Sequence, residues 1–337
     1  MTLFGLEATV WLPFVFAGIL GFSILLYVIL DGFDLGVGIL LPFANDTEKD
    51  MMVASIGPFW DANETWLVLA VGILLVAFPT AHGVILTALY LPVAIMLVGL
   101  IMRGVAFEFR AKAPPHRKTA WNTVFFAGSL MTALAQGAML GLYIMGLQIT
   151  WATIAFSLLT AVCLTAGYAY IGATWLIHKA DGALQRKSIN WAKLGLGFVL
   201  AGIAAVSLAS PLVSPRIFEK WFAFPEVLYL APLPILSGAL LVFVWKELRR
   251  LETEPQKRDW GPFVISTGLF ALAFLGLAYS FYPYVVPEKM TIYEAASSPE
   301  SLIIILFGAL FVVPIILGYT VLSYYIFRGK ATELRYD

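Results

Sequence analysis

Two aspartates three residues apart, Asp31 and Asp34, lie in the stretch LYVILDGFDLGVGILLPF, from Leu26 to Phe43. Its other side chains suit lipid or a packed core. A carboxylate removed from water is costly unless it is paired or hydrogen-bonded. Ionisable groups inside membrane spans usually face a cavity, a partner or a proton path. The same i,i+3 spacing recurs at Asp61 and Glu64 in SIGPFWDANETWLVL. There Trp60, Asp61, Asn63, Glu64 and Trp66 crowd two carboxylates, an amide and two indoles into seven residues. GLIMRGVAFEFRAKAPPHRK adds Arg103 and Glu108. Together these residues have the chemistry of a buried ion pair or a proton relay.

Each has a plainer reading. Asp31 and Asp34 share a helix face and could bond a neighbouring helix end. Gly32 and Gly36 make a GxxxG spacing, with Gly38 a third small residue, which lets another helix approach closely. Pro58 breaks the chain before Trp60, so Asp61 or Asn63 could cap the following helix. Arg103 could snorkel to headgroups or pair with a carboxylate of the first two spans. Glu108 could pair with Lys112 at i,i+4.

The elements that must position these residues are membrane helices. The chain of 337 residues is 61% hydrophobic and only 12% charged, with a mean hydropathy of +0.88; no soluble domain buries so much apolar surface. About 20 mostly apolar residues make a span. Nine spans are predicted, at about 11–40, 54–78, 83–107, 121–146, 151–177, 194–213, 227–246, 261–284 and 301–327. Of the 21 Lys and Arg, 17 fall after odd-numbered spans. Arg216, Lys220 and Lys289 fall on the opposite side, and Arg103 lies within a span. By the positive-inside rule the N-terminus is outside and the C-terminus cytoplasmic. Asp31, roughly 30 Å along its helix from Trp11, then approaches the cytoplasmic face. Trp11, Trp151, Trp191 and Trp260 fall near span ends, as an interfacial belt requires.

The predicted fold is an all-α integral membrane protein. It forms one transmembrane domain over 1–337: a first bundle at 1–146 with the intramembrane charge, a second at 151–284, and a last helix at 301–327. The two outer loops Ser214–Glu226 and Pro287–Ser301 are candidate contact surfaces. Lys and Arg balance Asp and Glu at 21 each, which excludes the basic footprint of nucleic-acid binding. The lone Cys163 supports neither a disulfide framework nor a thiolate metal site. The start, MTLFGLEATVWLPF, lacks the basic n-region of a cleaved signal peptide.

DGFDLGVGILLPF, PFWDANETWLVL and LIMRGVAFEFR, in that order ahead of six further spans, resemble subunit II of cytochrome bd-type quinol oxidases, closest to the cyanide-insensitive branch. The likeness runs to VVPIILGYTVLSYYIFRGK at the far end. Ala62 stands where the family often has glycine. The resemblance implies a bacterial inner-membrane respiratory oxidase that reduces dioxygen to water with electrons from a quinol. It places haems b558, b595 and d in a homologous partner, subunit I, and none on this chain. It also implies a structural quinone, bound lipid and a small accessory subunit as further partners. Asp61 and Glu108 match the family's proton-path carboxylates, and Asp31 and Asp34 its first-span motif. Arg103 matches a buried arginine, and Glu64 extends the acidic set. His82, His116 and His178 all lie outside or at the ends of the predicted spans, which is no setting for haem ligands. Two other classes fit the residues alone: a proton-coupled secondary transporter, whose substrate site would sit at broken helices near the midplane, and a purely structural assembly subunit.

Overall fold

The computed structural model describes residues 2, 3, 6–213, 215–254 and 257–332, with side chains for 7–209, 217–254 and 257–332. Met1, Ser214, the Arg216 side chain and Arg335, which entered the reading of the termini and loops, lie outside these.

The helices are α1 (Ala8–Leu40), α2 (Asp46–Ile56), α3 (Trp60–Ala77), α4 (Pro79–Lys112), α5 (Pro115–Ile144), α6 (Trp151–Lys179), α7 (Gly182–Val213), α8 (Pro215–Phe222), α9 (Glu226–Leu230), α10 (Pro232–Thr253), α11 (Gly261–Phe281), α12 (Ile292–Ala295) and α13 (Pro299–Ile326). Among the described residues, nine helical segments are long and apolar enough to cross a membrane. Among the described residues the strands form two short antiparallel pairs: β1 (Thr2–Leu3) with β2 (Leu6–Glu7), and β3 (Tyr284–Val286) with β4 (Met290–Thr291). Proline opens α4, α5, α10 and α13, where its missing N–H is no loss. One to six residues join α3 to α4, α4 to α5, α5 to α6 and α6 to α7, so these neighbours run antiparallel.

Several predicted boundaries shift. Residues 54–56 end the separate helix α2, and the second span begins only at Trp60. Pro58 lies in the turn between them. A capping box starts α2: the Asn45 side chain accepts from the Glu48 amide, and the Glu48 carboxylate accepts from the Asn45 amide. The sixth span begins at Gly182 rather than 194, so Arg186, Lys187 and Lys193 sit on a helix and not in a loop. The seventh is divided into α9 and α10. The segment 284–295 is a strand pair and a short helix. Trp11 is buried beneath it with Val285 and Val286 and is no belt residue, while Trp151 is exposed.

α1 packs against α3, α5 and α6; α4 against α5; α7 and α11 against α6; α10 against α7 and α11; and α13 against α3 and α1. The glycines of α1 decide how close this can be. A Cβ on Gly36 would lie 1.8 Å from the Tyr168 carbonyl oxygen, and one on Gly172 would lie 2.5 Å from the Gly36 backbone. The α1 and α6 backbones are therefore in direct contact. At Gly38 a Cβ would meet Ser129 Oγ of α5 at 2.1 Å.

α2 closes one end of the helix array. Asp50 accepts from Arg110 Nη2 at 2.7 Å and from Lys118 Nζ at 3.4 Å. Lys187 Nζ on α7 donates to Glu48 at 2.7 Å. Trp175 Nε1 on α6 donates to the Ser55 carbonyl at 3.2 Å. Burial alone would raise the Glu48 carboxyl, but Lys187 and the Asn45 amide hold it below the usual carboxylate range.

Candidate functional site

The densest buried polar cluster lies where α1, α3, α4 and α13 meet, just inside the end closed by α2. α1 brings Tyr27, Asp31 and Asp34 to one face, at i, i+4 and i+7. Arg103, fully buried on α4, places Nη1 2.5 Å from Asp31 Oδ1, and Asp31 is itself wholly inaccessible. The approach is an ion pair outside hydrogen-bond angles, and Arg103 Nη2 has no protein hydrogen-bond partner. Arg103 does not reach outward to the headgroup level, which corrects the snorkelling alternative.

Asp34 is equally buried, and its Oδ2 accepts from Asn63 Nδ2 at 2.8 Å. The same amide nitrogen reaches the Leu30 carbonyl at 3.3 Å. Tyr324 of α13 donates to Asn63 Oδ1 at 3.0 Å. One turn along, Trp66 Nε1 donates to Thr320 Oγ1 at 3.2 Å. Neither Asp61 nor Asn63 caps α3: Phe59 is the N-cap residue, with no side-chain cap, and Asp61 lies in the first turn. Asn63 is drawn inward instead: its Nδ2 donates to the Asp34 carboxylate, a charge-assisted hydrogen bond that capping, in which only Oδ1 accepts from a helix N–H, would not supply. Asp34 Oδ1 has no protein hydrogen-bond partner.

From Asp31 a second chain leads into the other helices. The Tyr27 hydroxyl adjoins Asp31. It accepts from Gln136 Nε2 of α5 at 2.6 Å, and Gln136 Oε1 accepts from Tyr168 of α6 at 2.6 Å.

The remaining predicted residues occupy the outward face. Asp61 is exposed and Glu64 half-buried; Glu64 lies within electrostatic reach of Asp61, Asp31 and Arg103. The three acids thus step from surface to core: Asp61, Glu64, Asp31. Glu108 is exposed on α4 and joins none of the ion pairs among the described residues, so the local pair with Lys112 does not form. The structure does not bring Glu108 into the Asp31–Arg103 cluster.

Among the described residues no three His, Cys, Asp or Glu side chains converge as a metal site. His82 and His116 stand in the first turns of α4 and α5. His178 Nδ1, at the end of α6, is 3.2 Å from Asp259. The three histidines are on separate helices.

Sequence reasoning missed Tyr27, Gln136, Tyr168, Thr320 and Tyr324. Gln136 had a signal, a lone amide deep in an apolar span. The tyrosines had none, since their rings suit lipid and core alike.

The sequence matches the family described as cytochrome bd terminal oxidase subunit II over residues 12–327. It is 28% identical over 327 residues to a cytochrome bd ubiquinol oxidase subunit 2 of Bacillus subtilis, covering 91% of this chain and 93% of that one. It is 28% identical over 368 residues to the cytochrome bd-I ubiquinol oxidase subunit 2 of Escherichia coli, covering 96% of each. A chain of the bd oxidase of Geobacillus thermodenitrificans has the same fold, with a TM-score of 0.72 at 18% identity, over 95% of this chain and all of that one.

Proposed function

Because this chain belongs to the cytochrome bd terminal oxidase subunit II family, we propose that it packs against a haem-bearing subunit I and carries cytoplasmic protons toward the site where that partner reduces dioxygen. The chain is part of a membrane-bound quinol oxidase and crosses the bacterial inner membrane many times. The haems b558, b595 and d belong to subunit I, and quinol oxidation supplies their electrons.

The carrying observation is the stepped acidic series from Asp61 through Glu64 to Asp31, Asp34 and Arg103. Oxygen reduction consumes protons, and protons cross an apolar slab only along ionisable groups and water. Asp61 is the outermost acid of this series. Glu108, exposed on the neighbouring helix, is a second point of uptake. Acids exposed at a helix face are unfavourable against lipid, which favours a partner or water over this surface.

In this reading the N-terminus is outside and the C-terminus cytoplasmic. Helices α1 and α3–α5 form one four-helix bundle, α6, α7, α10 and α11 a second, and α13 a peripheral ninth span. A structural quinone, ordered lipid and a small accessory subunit belong to the same reading, as does the cyanide-insensitive branch, which is checked by titrating cyanide against turnover.

The test is Asp61→Asn in the assembled complex. Quinol-driven oxygen consumption should fall while assembly is kept, and Glu108→Gln should act in the same direction. Normal turnover with full proton uptake in Asp61→Asn removes that residue from the route.

A further inference from the structure

The last helix reaches the charged cluster through two side chains four residues apart, Thr320 and Tyr324. They meet α3 at Trp66 and Asn63. Much of α13 is exposed; its first half joins, through Leu302, Ile303, Ile305 and Leu306, an apolar cluster with α1, α3 and α4, and its second half is seated by these two contacts and by its far end. That end is clamped. Lys179 of α6 donates to the Phe327 carbonyl and, at 2.8 Å, to that of Gly329. Lys330 Nζ returns to the Ala180 carbonyl at 3.0 Å and to Asp259 at 2.5 Å.

Asn63 is the pivotal group. Its amide has one acceptor end and one donor end. The donor end holds Asp34 and the Leu30 carbonyl, while the acceptor end takes the Tyr324 hydroxyl. Without the hydroxyl, the amide is held from its donor end alone. A carboxamide held at one end can pivot about its own axis, and the hydrogen bond that Asn63 gives Asp34 loosens with it. We propose that Tyr324 is a positioning residue for Asp34: by donating to Asn63 Oδ1 it keeps the amide donor turned to the carboxylate, so the last helix sets the geometry of the buried end of the proton route. This rests on the proton-route reading. The other titratable or charged groups around Asp34 are Asp31 on α1, Glu64 on α3 and Arg103 on α4, with Tyr324 itself on α13.

The experiment measures quinol-driven oxygen consumption per haem of the intact complex, across pH, for Tyr324→Phe, Thr320→Val and Asp34→Asn. Both α13 variants lose one hydrogen bond to α3, but only Tyr324→Phe frees Asn63. The expected result for Tyr324→Phe is turnover about tenfold slower at alkaline pH, with an unchanged KM for quinol. The deficit narrows as pH falls and protons become plentiful. Thr320→Val keeps the native pH profile. If Asp34→Asn is slow but Tyr324→Phe has the native pH profile, or shares a pH-independent loss with Thr320→Val, the positioning role is overturned and the route stands. If Asp34→Asn turns over normally, the route through Asp34 fails and the positioning role fails with it.

Discussion

At the residue scale, the contrast between Arg103 and Lys179 shows two ways to keep a cation out of water. Arg103 has a carboxylate, Asp31, at 2.5 Å. Lys179, 3% exposed, meets two carbonyls and lies 5.0 Å and 5.2 Å from the ring centres of Phe59 and Trp175. Removing one member of a buried ion pair typically costs about 3–5 kcal/mol, because the other is left uncompensated. Arg103→Ala should therefore lower the yield and thermal stability of the complex. The double variant Arg103→Ala, Asp31→Asn should be less damaged than the two single effects added together. A strictly additive result would mean the two charges do not support each other. A milder case is Glu48, tied to Lys187 and the Asn45 amide. Its folded-state proton affinity is below the usual carboxylate value. The stability it contributes is thus fully present above the ordinary carboxylate range and is lost as pH falls through the folded value. Glu48→Gln should cost about 1 kcal/mol at neutral pH, with the gap to the unaltered protein closing in acid. Melting curves of both proteins at neutral and acidic pH decide it.

At the element scale, the α1–α6 crossing is where one methyl group matters most. Gly36→Ala would place Cβ 1.8 Å from a backbone oxygen, which cannot move aside as a side-chain tip can. Gly18, on the same helix, has nothing within 4 Å of such an atom. Gly36→Ala should reduce assembled complex severely and Gly18→Ala hardly at all, as read by yield after membrane extraction. Equal yields would show that α1 and α6 can separate without consequence. The close approach was legible in the Gly32–Gly36 spacing, but not which helix would fill it. The helices themselves were legible because about 20 apolar residues leave few alternatives. The turn at Pro58 was legible too; its consequence was not. The expected cap at Asp61 or Asn63 followed from local chemistry, and the buried Asp34 of another helix outcompeted that role. Tyr324, nearly 300 residues from Asp34, offers no local pattern at all.

At the scale of the whole molecule, charge is arranged twice. The ion pairs Lys187–Glu48, Arg110–Asp50 and Lys330–Asp259 bind together the helix ends at which α2 and the C-terminal segment sit. Above them lies one buried cluster with the exposed Asp61 as its acidic mouth. The second arrangement makes sense in a complex, where the mouth meets a partner instead of lipid. The proposed proton role is separable from redox chemistry by experiment. Haem iron needs an axial His, Met, Cys or Tyr, presented inward with room for the macrocycle. His82 and His116 start their helices, His178 is engaged with Asp259, and Cys163 lies alone. The prediction is that this polypeptide, expressed without subunit I, carries no stoichiometric Soret absorption and consumes no oxygen with quinol. Restoring subunit I should bring back both, and doing so with Asp61→Asn should bring back the spectrum but not the full rate. A Soret band in the isolated chain that vanishes on replacing one histidine would move haem ligation into this subunit. A rate that returns fully with Asp61→Asn would leave the acidic mouth as an assembly surface only.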